Sequence, residues 1–90
     1  METQAPPLTV LYFAWLRERV GTGQEVVVLP AEVQTVGELT AWLIERSPRH
    51  AAAFQNRRTI RCAVNQDFAD DSAAVRPGDE VAFFPPVTGG

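Results

Sequence analysis

The sequence predicts an α+β domain, with a mixed sheet covered on one face by one main helix. Three observations carry that prediction. Strongly apolar, strand-like runs stand at both ends of the body, LTVLYF from Leu8 to Phe13 and EVAFF from Glu80 to Phe84. Between them lies a single amphipathic helix with a recognisable start, and the other segments are short extended runs broken by turn residues. Ninety residues suffice for one core and are too few for two, so all these elements must share it.

Met1 to Pro7 holds two prolines and little apolar periodicity, and is expected to be a flexible leader (1–7) outside the fold. Leu8 to Phe13 is apolar on both faces, with Val10 and Tyr12 on one and Leu11 and Phe13 on the other, as expected of a central strand. Trp15, Leu16 and Val20 among charged residues predict a short helical turn that Gly21 and Gly23 terminate. Gln24 to Leu29 reads as a second strand ended by Pro30.

Thr35 followed by Glu38 fits a capping box, in which the hydroxyl accepts a backbone hydrogen bond and the carboxylate reaches back to the chain before the helix. The helix opens at Val36, buries Val36, Leu39 and Leu43 with Trp42 beside them, and stops at Ser47 and Pro48. Arg49 to Phe54 has room for a short second helix. Thr59 to Val64 is strand-like, with Ile60, Cys62 and Val64 facing one way and Arg61 and Ala63 the other. Asn65 and Gln66 mark a turn, a brief extended piece surrounds Phe68, and Arg76 to Asp79 turn the chain into the last strand, Glu80 to Phe84. The first and last strands, both strongly apolar, are expected to pair in parallel at the centre of the sheet, with the helix supplying the crossover. This order of elements is that of a ubiquitin-like β-grasp, with the domain at 8–84 and an extended tail at 85–90.

Composition removes several classes of function. A net charge of -3 and a pI near 5.0 leave no basic stripe for nucleic acid. The absence of any apolar run as long as a membrane span or a signal-peptide core, together with the single cysteine, predicts a cytoplasmic protein without a disulfide framework. One Cys and one His cannot make a four-ligand zinc site, so no bound metal is expected. Cys62 alternates inward and reads as a buried, unreactive thiol. His50, beside a helix boundary, reads as solvated or capping. Asp67, Asp70, Asp71, Asp79 and Glu80 fall in or beside turns, where carboxylates bind local backbone.

The ending FPPVTGG remains. Pro85 and Pro86 stiffen the exit from the last strand and direct the chain away from the sheet. Val87, Thr88, Gly89 and Gly90 continue that arm, and the two glycines, lacking Cβ atoms, suit a narrow channel and unobstructed attack at the terminal carbonyl. Taken as the chain end, the Gly90 carboxylate is the candidate working group. Phe83 and Phe84 must face opposite sides of the sheet, which leaves one for a partner; Phe84, with Phe13, is the candidate anchor.

Three stretches carry a family resemblance: Leu11 to Ala14 with Leu16, Arg17 and Glu18; Ala63, Val64, Asn65 and Gln66; and GDEVAFFPPVTGG from Gly78 to Gly90. In these the sequence resembles the small subunits of molybdopterin synthase, which are ubiquitin-like sulfur carriers, from Leu8 to Gly90. The resemblance implies a carrier that is non-catalytic alone and binds no cofactor itself. An E1-like adenylyltransferase uses ATP to turn the Gly90 carboxylate into an acyl-adenylate, and a sulfur donor system converts it to a thiocarboxylate. The tail then enters the synthase large subunit, which holds the catalytic groups, and gives sulfur to cyclic pyranopterin monophosphate. A heterotetramer of small and large subunits is implied as well. Alternatives are a carrier for thiamine or tRNA thiolation, a ubiquitin-like protein modifier, and a non-covalent interaction module.

Overall fold

The computed structural model describes residues 6–86. Five strands form one sheet: β1 (Leu8–Tyr12), β2 (Gln24–Val27), β3 (Arg61–Val64), β4 (Asp67–Ala69) and β5 (Glu80–Phe84), in the order β2-β1-β5-β3-β4. β1 and β5 run parallel, with Tyr12 opposite Phe83 and Val10 opposite Val81; the other pairings are antiparallel. This is the mixed sheet of the expected β-grasp, and β5 has the bounds read from the sequence.

Three short helices lie between the strands: α1 (Trp15–Val20), α2 (Val36–Ile44) and α3 (Pro48–Ala53), with a single 3₁₀ turn at Arg57–Thr59. They contribute Leu16, Val20, Val36, Leu39, Leu43 and Ala53 to a core whose other wall is the inward row of the strands, Leu8, Val10, Tyr12, Val27, Cys62, Val81 and Phe83. At its centre Phe54 and Phe83 meet edge to face at 5.0 Å, with the Tyr12 ring 6.3 Å from each. Such aromatic contacts add to the gain from removing the rings from water.

Local chemistry explains most boundaries. Gly21 ends α1 in the left-handed region (φ 97°), where its N–H reaches the Arg17 carbonyl. Asn65 and Gln66 both take positive φ (50° and 73°), the mirror-image turn that lets β3 and β4 form a two-residue hairpin.

Several expectations need correction. β1 ends at Tyr12, because Ala14 takes positive φ (57°) to turn the chain into α1, so Phe13 lies just beyond the strand. β2 ends at Val27, since β1 offers no partner beyond Leu8. The capping box is shifted: Thr35 Oγ1 accepts from Glu38 N at 3.2 Å, and the Glu38 carboxylate accepts from the N–H of Gln34 (2.8 Å), one residue before the N-cap. Ser47 and Pro48 begin a helix as well as ending one: Ser47 Oγ accepts from His50 N, and Pro48 occupies a first-turn position where its missing N–H costs nothing. Ile60 precedes β3; Ala63 is on the open face as read, but its neighbours Ala82 and Phe68 on the adjoining strands shield it from solvent. Pro7 precedes β1, and its carbonyl accepts from Gly78 N at 3.2 Å.

Phe83 is 2% exposed in the middle of this core. Phe83→Ala should therefore lower unfolding free energy by about 3–5 kcal/mol, read from urea denaturation, through lost burial and the cavity left behind.

Candidate functional site

β5 alternates strictly, with Val81 and Phe83 facing the helices and Glu80, Ala82 and Phe84 facing outward. Because residues directly opposite one another share a face, the register places Leu11, Ala82, Ala63 and Phe68 in one row across the outer side of β1, β5, β3 and β4. Phe84 stands in the next row opposite Arg61, and its ring lies 6.0 Å from that of Phe68. Phe68 is 84% exposed and Phe13 48%, so the outer face is a floor of small and aliphatic residues bordered by aromatic rings.

Phe13 continues the β1–β5 ladder by one rung, its N–H bonding the Phe83 carbonyl at 3.1 Å. Its backbone therefore sits beside the point where the tail departs. Pro85 and Pro86 follow Phe84 directly and are half-buried, without regular secondary structure. Val87, Thr88, Gly89 and Gly90 lie outside the described residues. The structure places Phe13 and Phe84 beside the point where the tail departs and adds Phe68, which sequence reasoning assigned only to a brief extended piece. The signal for it was present: a two-residue turn at Asn65 and Gln66 makes Phe68 the partner of Ala63, on the outer side.

The remaining chemical groups are engaged elsewhere. Cys62 is 8% exposed, and burial, reinforced by the charge of Asp71, pushes its thiol up to about 12. Asp70 accepts from the Ser72 N–H and hydroxyl, and Asp79 from Arg76 N and the Asn65 amide, so both organise turns. Among the described residues no three His, Cys, Asp or Glu side chains gather into a metal-binding group. No described helix is long and apolar enough to cross a membrane.

His50 departs from the solvated expectation, because α3 packs beside α1 and carries it inward to 7% exposure. Its Nε2 lies 2.7 Å from Glu25 Oε2, which also accepts from the Tyr12 hydroxyl at 2.7 Å, and its Nδ1 lies 2.7 Å from Ser47 Oγ. An ionised carboxylate only accepts, so His50 Nε2 donates to Glu25. The Arg46 guanidinium is 3.7 Å from Glu25 Oε1. Burial alone would push Glu25 up, but the hydrogen bonds from His50 and Tyr12 and the nearby positive charge together hold it below the ordinary carboxylate range. Burial, then the bond to Glu25, raises the Tyr12 phenol well above its usual value. This network ties β2 to β1 and α3; it is structural and far in function from a hydrolytic triad, since the Ser47 hydroxyl is spent as a helix cap.

The sequence model of the ThiS family matches residues 10–90. The chain belongs to the ThiS family. This ThiS-family chain is 41% identical to the molybdopterin synthase sulfur carrier subunit of Escherichia coli over 83 residues, 92% of the chain and 99% of the relative. It is 36% identical to the human protein of the same name over 84 residues, 90% of the chain and 91% of the relative. Among solved structures, the small archaeal modifier protein 1 of Haloferax volcanii superposes with a TM-score of 0.72 at 27% identity, covering 91% of the chain and 99% of that structure. The ubiquitin-like β-grasp assignment agrees with that superposition.

Because Glu25 is held ionised by folding, its contribution to stability is present above its ordinary value of 4.5 and is lost as pH falls through the lower folded value. Glu25→Gln should remove that part of the acid-side slope. It should also cost about 1–3 kcal/mol at neutral pH, both read from denaturation curves across pH.

Proposed function

We propose that this chain is the sulfur carrier subunit of a molybdopterin synthase and that the Gly90 carboxylate is its working group. The observation that carries the reading is the 41% identity to a carrier subunit over 99% of that protein's length. The geometry supports it: the tail departs from the end of β5, a strand held on both sides by β1 and β3, so its base is firmly placed. Nothing else among the described groups competes for the role, since Cys62 and His50 are buried in structural positions.

On this reading an E1-like enzyme spends ATP to adenylate Gly90, because a free carboxylate repels nucleophiles and lacks a leaving group whereas a mixed anhydride has one. A sulfur donor then displaces AMP and leaves a thiocarboxylate. The large subunit receives the tail and supplies the acid-base groups and the pterin pocket. The outer face, with its floor of Leu11, Ala82 and Ala63 and with Phe84, Phe13 and Phe68 at its border, is the docking surface for that subunit.

A second reading has its own support in the likeness to small archaeal modifier protein 1. There the same activated carbonyl would pass to a lysine of another protein, giving an amide.

The two are separated by incubating the chain with the E1-like enzyme, ATP and a sulfur source, then mapping the C-terminal peptide by mass spectrometry. A peptide in which sulfur replaces one Gly90 oxygen supports the carrier. An unmodified carboxylate from demonstrably active enzyme overturns it, and branched peptides on other proteins favour the modifier. Deleting Gly89 and Gly90 should abolish charging while leaving the unfolding curve unchanged.

Phe84→Ala should weaken large-subunit binding by about 2 kcal/mol or more, roughly thirtyfold, in titration calorimetry. The isolated domain should lose far less stability than with Phe83→Ala, because Phe84 faces outward.

A further inference from the structure

The eight basic side chains of this chain are Arg17, Arg19, Arg46, Arg49, Arg57, Arg58, Arg61 and Arg76: the sequence has no lysine. All eight are exposed. Thiol, imidazole and phenol, which exchange acyl groups far more readily than the neutral hydroxyls of Ser and Thr, occur once each, as Cys62, His50 and Tyr12, and all three are in the core, 8%, 7% and 1% exposed. His50 and Tyr12 are further occupied by hydrogen bonds to Glu25 and Ser47.

This distribution matters most around the tail. The six residues from Pro85 to Gly90 can reach about 20 Å at full extension, so a group at Gly90 can visit much of the domain's own surface. Arg61 lies directly opposite Phe84, at the base of the tail, and Arg57 and Arg58 stand on the turn just before it. A guanidinium stays protonated and is not a nucleophile, whereas a lysine at the same place would release a neutral amine for part of the time. Tethered within reach, such an amine would meet the acyl group at an effective concentration on the order of millimolar, far above that of free protein.

We propose that this chain's side chains are inert toward its own activated tail: it exposes no amine, thiol, imidazole or phenol side chain, so the chain donates its Gly90 acyl group and none of these side-chain types on its surface accepts it. The inference rests on the activation step proposed above. The reaction it suppresses is attack by a neutral Lys Nζ on the Gly90 acyl-adenylate, in which an N–C bond forms, the C–O bond to phosphorus breaks, AMP leaves and the surplus amine proton passes to water. With that route closed, the activated carbonyl is kept for incoming sulfur or for an amine on a different protein. Were it attached to other proteins, it would form no lysine-linked chains, because one copy offers the next no lysine.

The test uses the full chain with the E1-like enzyme and ATP at mildly alkaline pH, without a sulfur donor, comparing the parent with Arg58→Lys, Arg61→Lys and Arg58→Ala. A parallel reaction with hydroxylamine measures charging, as the Gly90 hydroxamate, and peptide mapping locates any side-chain amide and distinguishes it from acylation of the α-amino group. The expected result is equal hydroxamate in all four, with side-chain amide, within one chain or between copies, at least about tenfold above background only in the two lysine variants. If those variants are charged equally and acquire no amide, the arginines are only composition and the proposal is overturned. Side-chain adducts on the parent also overturn it. If no hydroxamate forms on any of them with active enzyme, the carrier reading itself fails, and this inference with it.

Discussion

The parallel pairing of β1 with β5 is the constraint on which the rest of the structure depends. It joins the first and last strands of the body, so it cannot form until the chain between them has crossed one face of the sheet. That crossing places the helices on a single side, where Leu39, Leu43 and Phe54 cover the inward row of the strands. The same pairing leaves β5 with its other edge open, which β3 fills. β5 is consequently hydrogen-bonded on both edges, and the residues that follow it leave from the interior of a sheet. An arm attached to an edge strand or a loop would start from a less certain position.

β5 also divides labour between its two faces. Phe83 completes the aromatic centre with Tyr12 and Phe54, while Phe84 lies on the other face beside Phe68 and opposite Arg61. Small side chains at Ala63 and Ala82 keep the outer floor low, so the rings at its border stand above it. A partner can seat on such a surface without disturbing the core. At the far edge β2, the other outer strand, is held by a polar device: Glu25 gathers Tyr12, His50 and Arg46, and every buried side-chain polar atom among the described residues has a partner.

Much of this was legible in the sequence because it follows from local rules. An apolar run opened by the Arg76–Asp79 turn and closed by Pro85 defined β5 to the residue; Gly21 marked the end of α1; and the outward placement of Phe84 follows from its neighbour Phe83 being needed inside. What was not legible depends on distant partners. The lengths of β1 and β2 are set by where the neighbouring strand ends, and nothing local announces the positive φ of Ala14. Ser47 and Pro48 terminate one helix by the same properties that begin another, so the sequence reading, which opened the second helix at Arg49, took them only as a stop. His50 was misplaced because its burial depends on Glu25, 25 residues away, whose carboxylate makes an interior imidazole affordable. Phe68 was underrated because its role appears only when the hairpin register sets it opposite Ala63, in the row beside Phe84.

A carrier whose reactive atom sits on an extended arm faces a conflict, since the length that lets the atom enter another protein's active site also lets it reach its own surface. The fold answers the first half by fixing the base of the arm between β1 and β3. On the proposal above, side-chain choice answers the second half, with arginine wherever a positive charge is exposed and every thiol, imidazole and phenol placed in the core. The cost of that placement is visible in the structure, because burying His50 and Tyr12 requires Glu25 to satisfy both, and Glu25 in turn draws in Arg46. The polar network under β2 and the arginine-only exterior are then two consequences of one requirement: the domain must be unreactive everywhere that its own tail can go.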